Sequence, residues 1–82
     1  MNVQELRKKL ADLNVDPRAA GIEGVNLFDG QYRIEKRYEG YWIVHYFERG
    51  QAFSAREFAT EERACEDFLK RITDDKSTRI QK

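Results

Sequence analysis

Residues 40–69 read GYWIVHYFERGQAFSAREFATEERACEDFL. Tyr41 to Phe47 is almost wholly aromatic and β-branched, the composition of a central strand contacted on both faces. Glu48-Arg49-Gly50 follows as a tight turn, with Gly50 free to take positive φ. Gln51 to Phe58 supplies the next strand. Thr60 then caps a helix whose first turn carries Glu61 and Glu62, where negative charge suits the electropositive end. Ala64, Cys65, Phe68, Leu69 and Ile72 fall on one apolar stripe, and Lys70 and Arg71 occupy the last turn. A strand, a turn, a second strand and a capped amphipathic helix therefore follow one another without a break.

Upstream, Tyr32 and Ile34 alternate with Arg33 and Glu35, the rhythm of a half-buried strand, and Tyr38-Glu39-Gly40 turns it into the next. Residues 22–30 carry Gly24, Asn26, Asp29 and Gly30 and read as a connection, tacked to the core by Ile22, Val25 and Phe28. Asp16-Pro17 opens a short turn. The N-terminal segment is predicted helical: Asn2 and Glu5 form a capping box, Val3, Leu6, Leu10 and Leu13 share a face, and Asn14 ends it. The order is α-β-β-β-α. The expected fold is a single α+β domain over residues 1–73, a three-stranded antiparallel meander packed against helices. Residues 74–82 are polar and are expected to form a disordered tail.

Eighty-two residues bury one small core and leave little room for a deep substrate pocket. Charged residues make up 37% of the chain, yet fifteen basic groups balance fifteen acidic ones. Residues 31–58 carry five basic and four acidic groups, and residues 59–82 carry six of each, so the signs are mixed along the chain as well. The basic excess that supplies phosphate-backbone affinity is missing. Cys65 is the only cysteine, so no intramolecular disulfide forms. No apolar run is long enough to span a membrane, and the N-terminus has no export-signal pattern; a cytoplasmic location is expected.

Chemistry-bearing residues are few. His45, the sole histidine, lies mid-strand without a nucleophile in a shared motif, and it reads as a structural or contact residue. Cys65 lies in the apolar stripe and reads as a small buried hydrophobe. One His and one Cys do not make a zinc site, and Gly40 and Gly50 are hairpin turns rather than a phosphate loop. No catalytic residue, cofactor, metal or small-molecule substrate is expected. The aromatics are in surplus: Tyr32, Tyr38, Tyr41, Trp42, Tyr46, Phe47 and Phe53 exceed what one small face needs. If Trp42, Val44 and Tyr46 face the helices, Tyr41, Ile43, His45 and Phe47 face outward as a partner-binding surface, unless the N-terminal helix and residues 22–30 cover them.

Gly40-Tyr-Trp-Ile-Val44-His-Tyr46-Phe-Glu48-Arg-Gly50, with Phe58-Ala-Thr60-Glu61 and Ala64-Cys65 downstream, resembles a pattern in small bacterial immunity proteins of polymorphic toxin systems. Phe47 stands where that pattern has a small polar residue. The resemblance covers about half the chain. It implies a non-enzymatic cytoplasmic protein that forms a heterodimer with a cognate toxin, such as an NAD-cleaving one, and blocks its active site. On that reading the two turns project toward the toxin, and Tyr38, Glu39, Tyr41, Tyr46, Glu48 and Arg49 form the partner-binding set.

A sheet backed by a C-terminal helix is also similar to the arm-binding domains of phage-type integrases. That alternative would set Arg33, Lys36, Arg37, Arg49 and Arg56 against DNA. The interleaved Glu35, Glu39, Glu48 and Glu57 oppose it. The element order matches double-stranded-RNA-binding domains too, but Thr60-Glu61-Glu62-Arg63 has the wrong charge for their last helix.

Overall fold

A computed structural model describes residues 1–80. Helix α1 (Val3–Asp12) is followed by a 3-10 turn (Pro17–Ala19), strands β1 (Ala20–Ile22), β2 (Gln31–Lys36), β3 (Trp42–Glu48) and β4 (Gln51–Phe58), helix α2 (Glu61–Asp74) and a second 3-10 turn (Lys76–Thr78). The sheet order is β1-β2-β3-β4. The α+β class and the β2-β3-β4 meander are as expected, but the sheet has a fourth strand and is mixed. β1 pairs parallel to β2, with Ala20 opposite Tyr32 and Ile22 opposite Ile34. Its three residues are too few to show a two-residue alternation, and all are buried, so no periodic signal separated them from the connection.

The caps form as the residues dictate. Asn2 accepts from the Glu5 amide at 2.8 Å, Asp16 from the Arg18 amide at 2.9 Å, and Thr60 from the Arg63 amide at 3.2 Å. Glu61 serves both helices: it lies in the first turn of α2 and accepts from the Val3 amide at 2.8 Å, at the start of α1. The α2 stripe is completely buried at Ala64, Cys65, Phe68 and Ile72. It packs with Val3, Leu6 and Leu10 of α1 against Ile34, Trp42 and Val44 of the sheet. Both helices therefore cover one face.

Between β3 and β4, Arg49 and Gly50 both take positive φ (52° and 75°), the geometry that matches a two-residue hairpin to strand twist. Farther along, Val44 faces Arg56 and Tyr46 faces Phe53, so Ser54 and Ala55 stand together opposite His45. This is a β-bulge, and Ser54 has a φ of 54° within it.

The C-terminal segment corrects the expectation of a disordered tail. α2 runs to Asp74, and residues 75–80 fold back onto the domain. Thr78 is buried and its hydroxyl donates to the Ile72 carbonyl at 2.7 Å. The Asp16 amide donates to the Thr78 carbonyl, and the Ile80 amide to that of Asn14. Tyr32 donates to Asp75 at 2.8 Å. Hydrogen bonds rather than apolar burial hold this segment, so a composition-based reading misses it. The part of the expectation that concerned residues 81 and 82 lies outside the described residues.

Gln31 organises the β1–β2 connection. It is fully buried, donates to the carbonyls of Arg18 (3.1 Å) and Asn26 (2.9 Å), and accepts from the Phe28 amide (3.0 Å) and Arg33 Nε (2.9 Å). Every hydrogen-bonding position of the amide is used. Only glycine fits beside it, since a Cβ on Gly21 would come within 2.5 Å of Gln31 Oε1. Gln31→Leu keeps the volume and strands these groups, at about 1–3 kcal/mol for each one left buried. Urea unfolding should show that loss, whereas Gln51→Leu on exposed β4 should stay within about 0.5 kcal/mol of the parent.

Candidate partner-binding surfaces

The two faces of the sheet differ. Tyr32 and Ile34 of β2 and Trp42, Val44 and Tyr46 of β3 point toward the helices. Gln31, Arg33, Glu35, Ile43, His45 and Phe47 point away, as the cross-strand pairs Gln31–Phe47, Arg33–His45 and Glu35–Ile43 require. The outward set contains the aromatic face expected from the sequence, yet that face is not bare. The Arg33 guanidinium lies 3.7 Å from the Phe47 ring centroid, a cation–π contact that roofs the ring. Arg33 also donates to the Phe28 carbonyl, tying residues 26–28 over this end of the sheet. His45 is 5% exposed, and Ile43 and Phe47 are half-buried. Residues 26–28 thus cover the Gln31–Arg33 end of this face, whereas α1 lies on the opposite face.

His45 Nδ1 is buried without a hydrogen-bond partner among the described residues. Burial lowers the pKa of this imidazole, Glu35 opposes that shift, and Arg33, Arg37 and Arg71 reinforce it. On the helix side, Tyr32 is pushed up to about 12 by burial and by the bond it donates to Asp75. Its ring meets Tyr46 edge to face, with centroids 4.9 Å apart. Burial pushes the Cys65 thiol up to about 11, consistent with an inert core residue.

The expected partner-binding residues separate into two groups. Tyr38 and Glu39 form the β2–β3 turn, with Tyr41 beside them, at one end of β3; Glu48 and Arg49 lie at the other end. A seven-residue strand holds these turns roughly 20 Å apart. Tyr46 belongs to neither turn, being packed on Tyr32 under the helix side. The Arg49 amide donates to Asp29 at 2.6 Å, which anchors its turn to the preceding loop. By contrast, Tyr38 is 96% exposed. The basic residues of the nucleic-acid alternative are dispersed. Arg33 and Arg37 bind Phe47 and Glu35, Arg56 faces Asp67, Lys36 points to the helix side, and Arg49 sits at the far turn.

Two surface features carry no sequence signal of their own. A hollow of about 160 Å³ beside α1 is lined by Leu10, Val15, Pro17, Ala20, Ile22 and Val25. It falls below the size at which small-molecule sites normally begin. The second is the outer edge of β4, exposed from Gln51 to Glu57. No cluster of three or more His, Cys, Asp or Glu side chains able to hold a metal occurs among the described residues. None of their helices is long and apolar enough to cross a membrane. Comparison with known proteins gave no matching family model, no matching curated protein and no matching solved structure.

The burial of His45 sets a pH dependence. Its folded pKa lies below the unfolded value near 6.5, so the unfolded chain takes up the proton first. The stability contributed by neutral His45 is complete above pH 6.5 and declines as pH falls through the folded pKa. Urea unfolding at pH 7.5 and 5.0 should show a larger acid loss for the parent than for His45→Phe, which has no ring proton to gain. Equal losses would show that the imidazole is not the responsible group.

Proposed function

We propose that this chain is an immunity-type inhibitor: a cytoplasmic protein without catalysis of its own that binds a cognate bacterial toxin and blocks its active-site cleft. Tyr38 is the observation that carries the reading. A tyrosine 96% exposed at the tip of a turn does nothing for the core, and burying it in a partner's cleft would gain about 1.5–3 kcal/mol. Glu39 and Gly40 complete the tip, and Gly40 holds φ at 98°. Tyr41 stands behind it with its phenol pKa raised, first by burial and then by the negative charge of Glu57. The tip is thus a short aromatic and acidic plug on a hairpin turn.

Because the two hairpin turns lie at opposite ends of β3, the plug is assigned to Tyr38, Glu39 and Tyr41, and Glu48 and Arg49 are left out of it. Against an NAD-cleaving toxin, Glu39 would present negative charge where the dinucleotide carries its diphosphate, and Tyr38 would take a ring site.

Coexpression with a toxin encoded beside the chain's gene should restore growth. Tyr38→Ala with Glu39→Ala should abolish the rescue and weaken toxin binding at least tenfold, with no change in the urea midpoint of the free protein. Undiminished rescue by that double variant would show that the plug lies elsewhere. Salt-sensitive DNA binding at moderate ionic strength would move the chain to another class altogether.

A further inference from the structure

We infer that the channel between β4 and α2 is a second docking surface, which takes an extended, acidic segment of the partner protein by strand addition. The inference rests on the reading of the chain as a protein-binding domain and adds to it a place and a partner chemistry.

β4 is the last strand of the sheet and spans eight residues, roughly 25 Å. No strand among the described residues pairs with its outer side, so backbone N–H and C=O groups there are open to a partner chain. The opposite edge, β1, is short and buried and offers nothing comparable. α2 lies beside β4, and the channel between them is two hollows separated where Arg71 reaches the Ser54 carbonyl and Arg56 faces Asp67. At one end, Phe58, Arg63, Glu66, Asp67 and Lys70 line a hollow of about 410 Å³. At the other, Tyr32, Tyr46, Phe53, Ser54 and Arg71 line one of about 480 Å³. Phe53 is 45% exposed there, ready to pack against an apolar side chain. Asp67 marks the middle, with Arg71 at 2.8 Å and Arg56 at 3.8 Å. The Arg71–Asp67 contact is close but off the hydrogen-bond axis, so charge rather than an aligned bond holds it.

Charge selects the occupant. Among the described residues, Arg56, Arg63, Lys70 and Arg71 face Glu66, Asp67 and Asp74 along this channel, a local excess of one positive charge in a chain of zero net charge. Arg56 and Lys70 are largely exposed, and Lys70 pairs with Asp74, itself exposed, at 3.1 Å. Carboxylates from a partner can displace such surface pairs at little cost. A second copy of this chain fits poorly, because it would bring the same cationic rim against itself. The bulge also interrupts the edge: Arg71 draws in the Ser54 carbonyl at 2.8 Å, leaving regular pairing mainly to Ala55–Phe58. Nucleic acid offers no peptide groups for the edge. A short acidic peptide segment with an aromatic or aliphatic residue for the Phe53 hollow satisfies all three features. The Phe58 end of the channel adjoins the end of β3 that carries Tyr38, so one partner can engage plug and channel together.

The test is an NMR titration of the isotopically labelled full chain with a blocked heptapeptide alternating Glu with Val and Phe. Amide shifts should concentrate on residues 51–58 and on Arg63, Asp67, Lys70 and Arg71. Affinity should fall at least tenfold for a Lys-for-Glu peptide, for a peptide N-methylated at alternate residues, and for Arg56→Glu with Arg63→Glu. Phe53→Ala is the second variant should the charge reversal disturb folding. Equal binding of the lysine or N-methylated peptide overturns the inference, as does the absence of shifts at millimolar peptide or shifts confined to residues 37–41. Concentration-dependent dimerisation through β4 without peptide would make a second copy the occupant. In growth rescue the two surfaces are scored separately. Loss with Tyr38→Ala but not with the channel variants would sink this inference and leave the plug; the reverse pattern would sink the plug and leave the channel.

Discussion

The fold depends on one contact: the buried stripe of α2 against the inner face of β2 and β3. Ala64, Cys65, Phe68 and Ile72 are completely buried there, and so are Ile34 and Val44 opposite them. A core this small has few substitutes for such a contact. It also sets the geometry of everything else. A single helix centred on β2 and β3 cannot also cover β4, so the last strand keeps an open edge and a channel beside the helix. Nor can it reach the outer face, which the chain covers by other means.

Those means are polar. The Gln31 amide joins four groups of the β1–β2 connection in one buried network, and the Arg33 guanidinium closes over Phe47. Asp75, Ser77 and Thr78 bind the C-terminal segment to Tyr32 and to the end of α2. Burial of hydrogen-bonding groups is tolerable only when each finds a partner, and in these clusters nearly all do. His45 Nδ1 is an exception, and it makes the outer face sensitive to acid.

Electrostatics in this protein is a matter of placement rather than total charge. With net charge zero, long-range attraction to any partner is weak, and recognition falls to local contrasts. The exposed tip sets Glu39 close to Arg37, and the channel beside β4 sets Arg56, Arg71 and Lys70 against Asp67 and Asp74.

Elements whose signals are local were legible in the amino-acid chain alone. The capping residues Asn2 and Thr60, the alternation in β2, the aromatic run of β3, the turn at Gly50 and the stripe of α2 each act within a few residues of their own position. The chain also displayed the surplus of aromatics. Which of them remain exposed depends on long-range packing: Tyr38 projects, Phe47 is roofed by Arg33, and Tyr46 packs on Tyr32. Tertiary structure placed β1 beside β2, drew residues 75–80 onto the domain, and separated the two turns that adjacency in sequence had grouped together. The physical reason is common to these cases. Strand pairing and buried hydrogen bonds join residues far apart in the chain, and no spacing pattern along the sequence encodes a partner that distant.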